Sequence, residues 1–218
     1  MSQLTLLVDN DIVIKLAKMD CMDDALASID RKVTELGSLG FMLRYMGKAS
    51  EAKRLQLAGD RAAADRLNAV LQQIEAIEPT QTQQQRAALI LQQALLAELD
   101  LDAGEVGLMA VGVDLAEVEL ATGDKRALRS LPKISQMEGS LLALKKRMIC
   151  LEQIVRKLCD RFGVQRIRRA VAASPKADEV VSGVYARFGS DGGAFCRMLD
   201  LVVDEHVEKP APGWLKKL

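Results

Sequence analysis

The feature that most constrains the fold is a short apolar run near the N-terminus that is followed by acidic residues and then by a helix. Residues 4–8 read Leu-Thr-Leu-Leu-Val, and Asp9 and Asp11 lead into an apolar segment with helical spacing: Ile12, Val13, Leu16 and Ala17. This pattern predicts a buried strand that runs directly into a helix. In open α/β sheets, ligands bind at the carboxyl ends of the strands, where these acids would lie. An Asp at this place is also a usual helix N-cap, so a purely structural role stays open.

The same alternation of strands and helices continues along the chain. Further strands are predicted at residues 32–36, 118–122 and 146–151, and the last two lead to an acid that begins a helix. Residues 39–98 are predicted to be helical almost throughout, and only helices are expected after Phe162. The alternation predicts an α/β protein. Its expected architecture is a helix-rich, three-layer α/β/α arrangement with a short parallel sheet and added C-terminal helices.

Length and hydrophobic content set the domain organisation. The chain has 218 residues, of which 49% are hydrophobic, which is enough for one packed domain with an appendage. We expect residues 1–152 to form the α/β domain, with a helical insertion at about 39–98. Residues 153–218 are expected to form a C-terminal helical extension.

Composition excludes several classes of site. The four cysteines form no C-x-x-C pair, and His206 is the only histidine. A His-rich metal site and a mechanism with two imidazoles are therefore excluded, and a bound metal should be a hard, oxygen-liganded ion such as Mg²⁺ or Mn²⁺. No apolar run is long enough to cross a bilayer, and the N-terminus lacks the features of a signal peptide. We therefore expect a cytoplasmic protein without a membrane partner.

Charge is distributed unevenly although the formal net charge is zero. Residues 125–169 contain thirteen Lys and Arg against three acids, so this segment carries +10 and the remainder −10. A basic segment beside an acidic one can guide a polyanion toward a metal site. The same distribution is also typical of solvated helix faces, and the sequence favours neither explanation.

Acids recur where strands end and helices begin. Asp9 and Asp124 each follow a predicted strand directly or after one glycine, and Glu152 begins the helix after the last strand. Glu105 stands three residues after Asp102, the spacing of a capping box, at the start of an apolar helix. In a parallel sheet these positions lie at the same edge, so the carboxylates can converge. Converging carboxylates raise one another's pKa unless a cation neutralises them, which favours a metal site over four independent caps.

Three of these segments resemble the PIN (PilT N-terminus) domain, a metal-dependent nuclease fold related to the structure-specific 5′ nucleases. They read Leu-Leu-Val-Asp9-Asn-Asp11-Ile-Val-Ile, Asp102-Ala-Gly-Glu105-Val-Gly-Leu-Met-Ala and Leu-Ala-Thr-Gly-Asp124-Lys-Arg-Ala-Leu. The first and third are close to the family's motifs and occur in its order, and the second is close to a Gly-Glu variant found in some branches. The resemblance covers residues 4–152 and leaves the C-terminal helices outside.

The resemblance implies a set of site residues and a reaction. It assigns Asp9, Glu105 and Asp124 as catalytic residues and ligands of Mg²⁺ or Mn²⁺, for the hydrolysis of RNA phosphodiesters. Asp11 fits a neighbouring acidic position and would be a further ligand. Thr122 and Glu152 are expected to support the metal ligands from behind. Three cations are expected to bind RNA: Arg44, Lys125 and Arg126.

The chain departs from the family at one place. The family usually has a further acid near the start of the helix after its second strand, and Arg44 occupies roughly that position here. An arginine there would offset part of the cluster's negative charge or hold a phosphate. Glu35 and Glu51 are the neighbouring acids that could replace the missing one. The helical stretch at 39–98 is also longer than a compact PIN domain needs.

Three functional hypotheses follow. The first is a PIN-like metal-dependent ribonuclease, free-standing or held in check by a protein inhibitor as in toxin–antitoxin pairs. The second is a catalytically degenerate PIN-like module that binds nucleic acid or protein. The third is a helical interaction protein whose acids are only caps. A homodimer is also possible through an apolar stripe that could equally be core: Phe41, Met42, Tyr45 and Met46.

Overall fold

The computed structural model describes residues 3–218, which form a five-stranded sheet with helices on both faces. The strands are β1 Leu6–Val8, β2 Leu36–Leu39, β3 Glu75–Ile77, β4 Glu119–Thr122 and β5 Met148–Cys150. The first eight helices are α1 Asn10–Lys18, α2 Met22–Ser28, α3 Gly40–Tyr45, α4 Glu51–Ala58, α5 Arg61–Leu71, α6 Gln81–Leu96, α7 Ala103–Asp114 and α8 Lys125–Met137. The last four are α9 Leu151–Phe162, α10 Val164–Ala173, α11 Glu179–Phe188 and α12 Gly192–Val203.

All neighbouring strands pair in parallel, in the order β3-β2-β1-β4-β5. Leu6 of β1 pairs with Leu36 of β2 on one side and with Glu119 of β4 on the other. The chain first builds the sheet outward from β1 in one direction and then returns to build it in the other. The carboxyl ends of β1 and β4 therefore form the point at which strand order reverses, where open α/β sheets bind their ligands.

The core consists of two apolar layers, one on each face of the sheet. Successive side chains of a strand point to opposite faces, and Leu6 and Val8 pack into one buried cluster while Leu7 packs into the other. The first cluster takes side chains from α1, α2, α5 and α9–α12, and the second from α6, α7 and α8. The three-layer α/β/α fold predicted from the sequence is confirmed.

The structure corrects the second strand and adds one that the sequence analysis missed. Val33–Glu35 is a 3₁₀ turn, and β2 begins only at Leu36. Gly37, directly after the predicted strand at residues 32–36, lies inside β2. A Cβ at Gly37 would come within 2.6 Å of Cδ1 of Ile77, so glycine is what allows these side chains to pack so closely. β3 lies in the region that the sequence predicts to be helical. The sequence does not reveal it, because a three-residue, largely exposed edge strand shows no alternation of apolar and polar residues.

The helices after β5 pack on the first apolar layer. The predicted boundary after residue 152 falls in the first turn of α9, whose Ile154 and Leu158 share a buried cluster with Leu6. Ser174 and Pro175, a serine-proline pair of the kind that often begins a helix, precede α11 without capping it. Asp178 is the cap instead, with Oδ1 accepting from the backbone N–H of Val181 at 2.8 Å.

The residues after α12 return to the edge of the sheet. A π-helical turn covers Asp204–Glu208, and the side chain of Trp214 is buried in the second apolar layer. The backbone N–H of Met148 donates to the carbonyl of Trp214, so this tail runs beside β5. Within residues 3–218, no helix is both long and apolar enough to cross a bilayer.

Candidate functional site

A cleft opens at the carboxyl ends of β1 and β4, with a volume of about 860 Å³. It is bounded by the first turns of the helices that follow these strands, by the start of α7 and by one face of α3. Its lining residues are Asp9, Asn10, Asp11, Ile14, Lys15, Phe41, Met42, Tyr45, Asp102, Ala103, Gly104, Glu105, Gly123, Asp124, Lys125, Arg126 and Arg129. The structure therefore brings together four of the predicted acids, Asp9, Asp11, Glu105 and Asp124, from three distant segments of the chain.

Asp9 lies at the centre of this edge and is almost fully buried. Its Oδ1 caps α1 by accepting from the N–H of Ile12 at 2.9 Å, and its Oδ2 accepts from the hydroxyl of Thr122 at 2.5 Å and the N–H of Gly123 at 3.1 Å. Burial raises the pKa of Asp9 to about 6, partly opposed by these hydrogen bonds, and the charge of Asp11 raises it further. Asp9 is a helix cap, but a cap uses only one of its two oxygens.

Asp124 follows β4 and is held by a nearby arginine. Its Oδ1 caps α8 by accepting from the N–H of Arg126 at 2.7 Å, and the Arg126 guanidinium contacts both carboxylate oxygens, Nη2 at 2.5 Å from Oδ2. Burial raises the pKa of Asp124, but Arg126 outweighs it and holds that pKa below its ordinary value. Asp100 binds the other side of the same guanidinium at 2.5 Å.

Glu105 enters the cleft from the first turn of α7. Its Oε2 accepts from the N–H of Asp102 at 2.9 Å, and Asp102 Oδ1 accepts from the N–H of Glu105 at 2.8 Å, which completes the capping box predicted from the spacing. Burial raises the pKa of Glu105 to about 8, and the charges of Asp102, Asp124 and Asp9 raise it too. The charges of Asp9 and Asp124 thus reach Glu105, the third carboxylate that the resemblance selects.

Asp11 and the first helix connect the cleft to the C-terminal helices. Lys15 Nζ lies 2.5 Å from Asp11 Oδ2 and 2.9 Å from Asp178 Oδ2. Burial lowers the pKa of Lys15, but the two carboxylates outweigh it and raise that pKa above its usual range. Burial raises the pKa of Asp178. The hydrogen bond from the backbone N–H of Val181 and the ammonium of Lys15 outweigh burial and hold that pKa below its ordinary value.

Glu152 lies beneath the cleft rather than in its wall. It is fully buried at the carboxyl end of β5, and its Oε1 lies 2.5 Å from Nζ of Lys125, a cleft residue. Its Oε2 has no hydrogen-bond partner among the described residues. Glu152 thus stands behind Lys125 and positions its ammonium instead of facing a ligand, and its supporting role around a metal stays a prediction. Thr122 has the corresponding position behind Asp9.

The structure does not bring Arg44 into the cleft. Its guanidinium is largely exposed and lies 3.9 Å from Oε1 of Glu78. Neither acid considered as a replacement reaches the cluster, since Glu35 Oε2 accepts from the N–H of Lys32 and Glu51 pairs with Arg61. Asp102 is the acid that joins the cluster instead.

The donor atoms of the cleft carboxylates are of the chemical type that a hard divalent cation binds. The carboxylates offer only oxygen donors, which Mg²⁺ and Mn²⁺ prefer, and a cation would relieve the repulsion that raises the pKa of Glu105. Protein donors hold the same oxygens, so a cation and Arg126 would compete for Asp124. Across residues 3–218, no group of three or more His, Cys, Asp or Glu side chains is arranged to hold a metal ion.

The sequence analysis missed several residues of the cleft. Arg129 belongs to the basic segment and follows Lys125 by four residues. This spacing places both side chains on the same face of α8, so Arg129 could have been predicted together with Lys125. Phe41 and Tyr45 were assigned to a stripe whose other members, Met42 and Met46, are core, and the i, i+4 spacing was the signal available. Asp178 does not line the cleft but pairs with its Lys15, and no local sequence pattern indicates a contact between residues so far apart in the chain.

Comparison of the chain with models of protein families, with curated proteins and with solved structures found no match.

Proposed function

We propose that this protein is a metal-dependent ribonuclease of the PIN kind, which hydrolyses RNA phosphodiesters in the cleft at the ends of β1 and β4. The observation that carries the proposal is the position of Asp9, Glu105 and Asp124. They come from three distant segments, line one cleft, and lie close enough for Asp9 and Asp124 to raise the pKa of Glu105. Carboxylates kept together despite repulsion are typical of sites that take a cation.

The chain's own residues divide into two roles. Asp9, Glu105 and Asp124 would supply the oxygen ligands for Mg²⁺ or Mn²⁺, and their side chains would have to rearrange to hold it, because they are not arranged around an ion in this structure. The bound ion would supply a water of lowered pKa and neutralise charge on the phosphate. Thr122 fixes the carboxylate of Asp9 through its hydroxyl. Lys125, oriented by the buried Glu152, presents an ammonium at the cleft wall where a phosphate can bind.

The proposal is tested by incubating the protein with single-stranded RNA and Mn²⁺, with and without chelator. We expect cleavage that chelator abolishes and that Asp9→Asn and Asp124→Asn each remove. Glu51→Gln is a matched control, since Glu51 is an exposed acid paired with Arg61 away from the cleft. Retained cleavage in both site variants, or cleavage that survives chelation, would contradict the proposal.

A catalytically degenerate binding module is the second candidate, and one observation favours it. Arg126 contacts both oxygens of Asp124 and is itself held by Asp100, so a protein cation already neutralises one of the acids. If this is the function, RNA binds and stays intact with Mn²⁺ present. The third hypothesis is a helical interaction protein whose acids are only caps. The five-stranded parallel sheet does not fit its helical part, whereas Asp9 and Asp124 do cap helices, so the loss of cleavage in their Asn variants is what separates it from the nuclease.

A further inference from the structure

α3 exposes two aromatic side chains at the cleft. Phe41 and Tyr45 are 44% and 53% exposed, whereas Met42 and Met46 of the same segment are buried. Four residues separate the pair, so they lie on the same face of the helix, and both line the cleft that contains Asp9 and Asp124. The stripe that the sequence predicts as core or as a dimer surface is therefore divided: both methionines are buried, Met42 at the floor of the cleft, and both rings are exposed at the cleft.

The exposure of these two rings is unusual for this chain. It has seven Phe, Tyr and Trp residues, and of those within residues 3–218 only Phe41, Tyr45 and Phe162 have large exposed surfaces. Two of the three therefore face one cleft. Exposing an aromatic ring forgoes the apolar burial that would stabilise the fold, so a pair of rings at a cleft points to a ligand that covers them.

The order of the strands gives the cleft two different sides. α3 follows β2, Asp9 follows β1, and Lys125 and Arg129 lie on the helix that follows β4. Because β1 lies between β2 and β4, Asp9 lies between the rings on one side and, on the other, Asp124 with the cations of α8. A ligand that crosses Asp9 therefore meets the side chains of Lys125 and Arg129 and a π-surface together.

One cation accompanies the rings themselves. Nζ of Lys53 lies over a face of the Tyr45 ring, 4.8 Å from its centroid, so a base would stack on the opposite face. The ammonium then provides a charge for a phosphate close to the stacked base. The combination of stacking surface and phosphate-binding charge is what a single-stranded nucleic acid requires, since a duplex keeps its base faces stacked internally.

We infer that Phe41 and Tyr45 form a base-stacking platform that holds the unpaired bases of a single-stranded nucleic acid beside the acidic centre. The inference rests on the proposed function only in placing nucleic acid in this cleft. It adds the residues that select unpaired bases, and it requires no cleavage. Stacking tolerates every base, so the platform selects for strandedness rather than for sequence.

The test is binding of a fluorescent single-stranded oligouridylate to the full chain in chelator, so that no hydrolysis occurs. We expect Phe41→Ala and Tyr45→Ala each to weaken binding by about fivefold or more, the loss typical of one stacked base. Phe41→Tyr and Tyr45→Phe keep a ring and should bind within about twofold of the unchanged chain. Phe162→Ala, which removes an exposed ring outside the cleft, is the matched control and should also bind normally.

Two further probes separate stacking from other contacts. An oligomer of abasic sites keeps the phosphates but has no bases, and we expect the unchanged chain and the Phe41→Ala, Tyr45→Ala double variant to bind it equally. Duplex RNA should bind less tightly than the single strand. Three results would each overturn the inference. The double variant could lose as much affinity for the abasic oligomer as for oligouridylate, the unchanged chain could bind duplex RNA more tightly than the single strand, or the double variant could bind oligouridylate as tightly as the unchanged chain. Absence of binding by the unchanged chain would overturn it too.

The two proposals fail separately. Ring-dependent binding without Mn²⁺-dependent cleavage refutes the nuclease and leaves the platform. Cleavage and binding that are indifferent to Phe41 and Tyr45 refute the platform and leave the nuclease. Both side chains are exposed, so the alanine variants should keep the melting temperature of the unchanged chain, and that measurement confirms that they are folded.

Discussion

The hydroxyl of Thr122 donates to Oδ2 of Asp9 at 2.5 Å and accepts from the N–H of Asp124 at 3.1 Å. One buried side chain at the end of β4 thus orients an acid that follows β1 and the backbone of the acid that follows β4. The two halves of the site share a hydrogen-bond network as well as a sheet edge. A network of this kind fixes carboxylate positions before any ligand arrives.

Removing this hydroxyl should destabilise the fold. Thr122→Val is expected to lower the free energy of unfolding by about 1–3 kcal/mol, because Asp9 loses a donor and the Asp124 N–H loses its acceptor in a buried place. Thr122→Ser keeps the hydroxyl and should recover most of the loss. Urea denaturation of the three chains measures the difference. Equal stability of the Val and Ser variants would show that the network contributes nothing.

Stability should fall as pH rises from about 5 to about 8. Burial raises the pKa of Asp9 from 3.8 to about 6 and that of Glu105 from 4.5 to about 8. In this window the folded chain binds more protons than the unfolded chain, so the stability present below the unfolded pKa values is lost as pH passes the folded ones. Urea denaturation across the window measures the slope.

Glu105→Gln is the control for this pH dependence. Gln cannot titrate, yet it suits the N3 position of a capping box, so the helix start is preserved. The variant should show a shallower loss of stability between about pH 6 and about pH 8. An unchanged slope would assign the pH dependence to other groups.

Arg126 should weaken cation binding. It occupies both oxygens of Asp124, and its side chain is 60% exposed, so the ion pair is worth little. Arg126→Ala is expected to bind Mn²⁺ more tightly by up to about fivefold in calorimetry. Arg129→Ala removes the same charge from the cleft without freeing Asp124, and should change the affinity less. Equal effects of the two variants would show that only overall charge matters.

Asp178 should stabilise the fold through Lys15. Asp178→Asn keeps an oxygen for the cap of α11 but removes the charge beside two lysines, Lys15 at 2.9 Å and the more distant Lys125. We expect a loss of about 1–3 kcal/mol in unfolding free energy, below the cost of fully orphaning a buried charge because Asp11 still pairs with Lys15. Glu51→Gln breaks an exposed pair and should cost less than about 1 kcal/mol. Equal losses in denaturant would contradict this role for Asp178.

Local patterns predicted most of the fold and the centre of the site. The strand before Asp9 and the strand before Asp124 are buried on both faces, so their apolar runs are readable, and both acids act as the caps that their positions suggest. β3 could not be predicted, because two of its three residues are exposed and no face of it is regularly apolar. Its assignment depends on pairing with β2, which a local window does not contain.

The outer parts of the site depend on tertiary contacts that sequence spacing does not encode. Asp102 could be read as a cap but not as a member of the cluster, since that requires the place of α7 over the sheet. Arg44 is close in sequence to Phe41 and Tyr45, yet it points to Glu78 and away from the cleft. The direction of each side chain around a six-residue helix decided which of the three reached the site.

Asp178 belongs to the terminal helices, yet its carboxylate reaches Lys15 at the cleft. Those helices are therefore not an interchangeable accessory to the sheet. A chimera that grafts terminal helices from another protein onto residues 1–152 must restore an acid at this point. Otherwise Lys15 keeps only Asp11 as its partner, its ammonium is freer to contact a ligand, and the cleft would select its ligands differently.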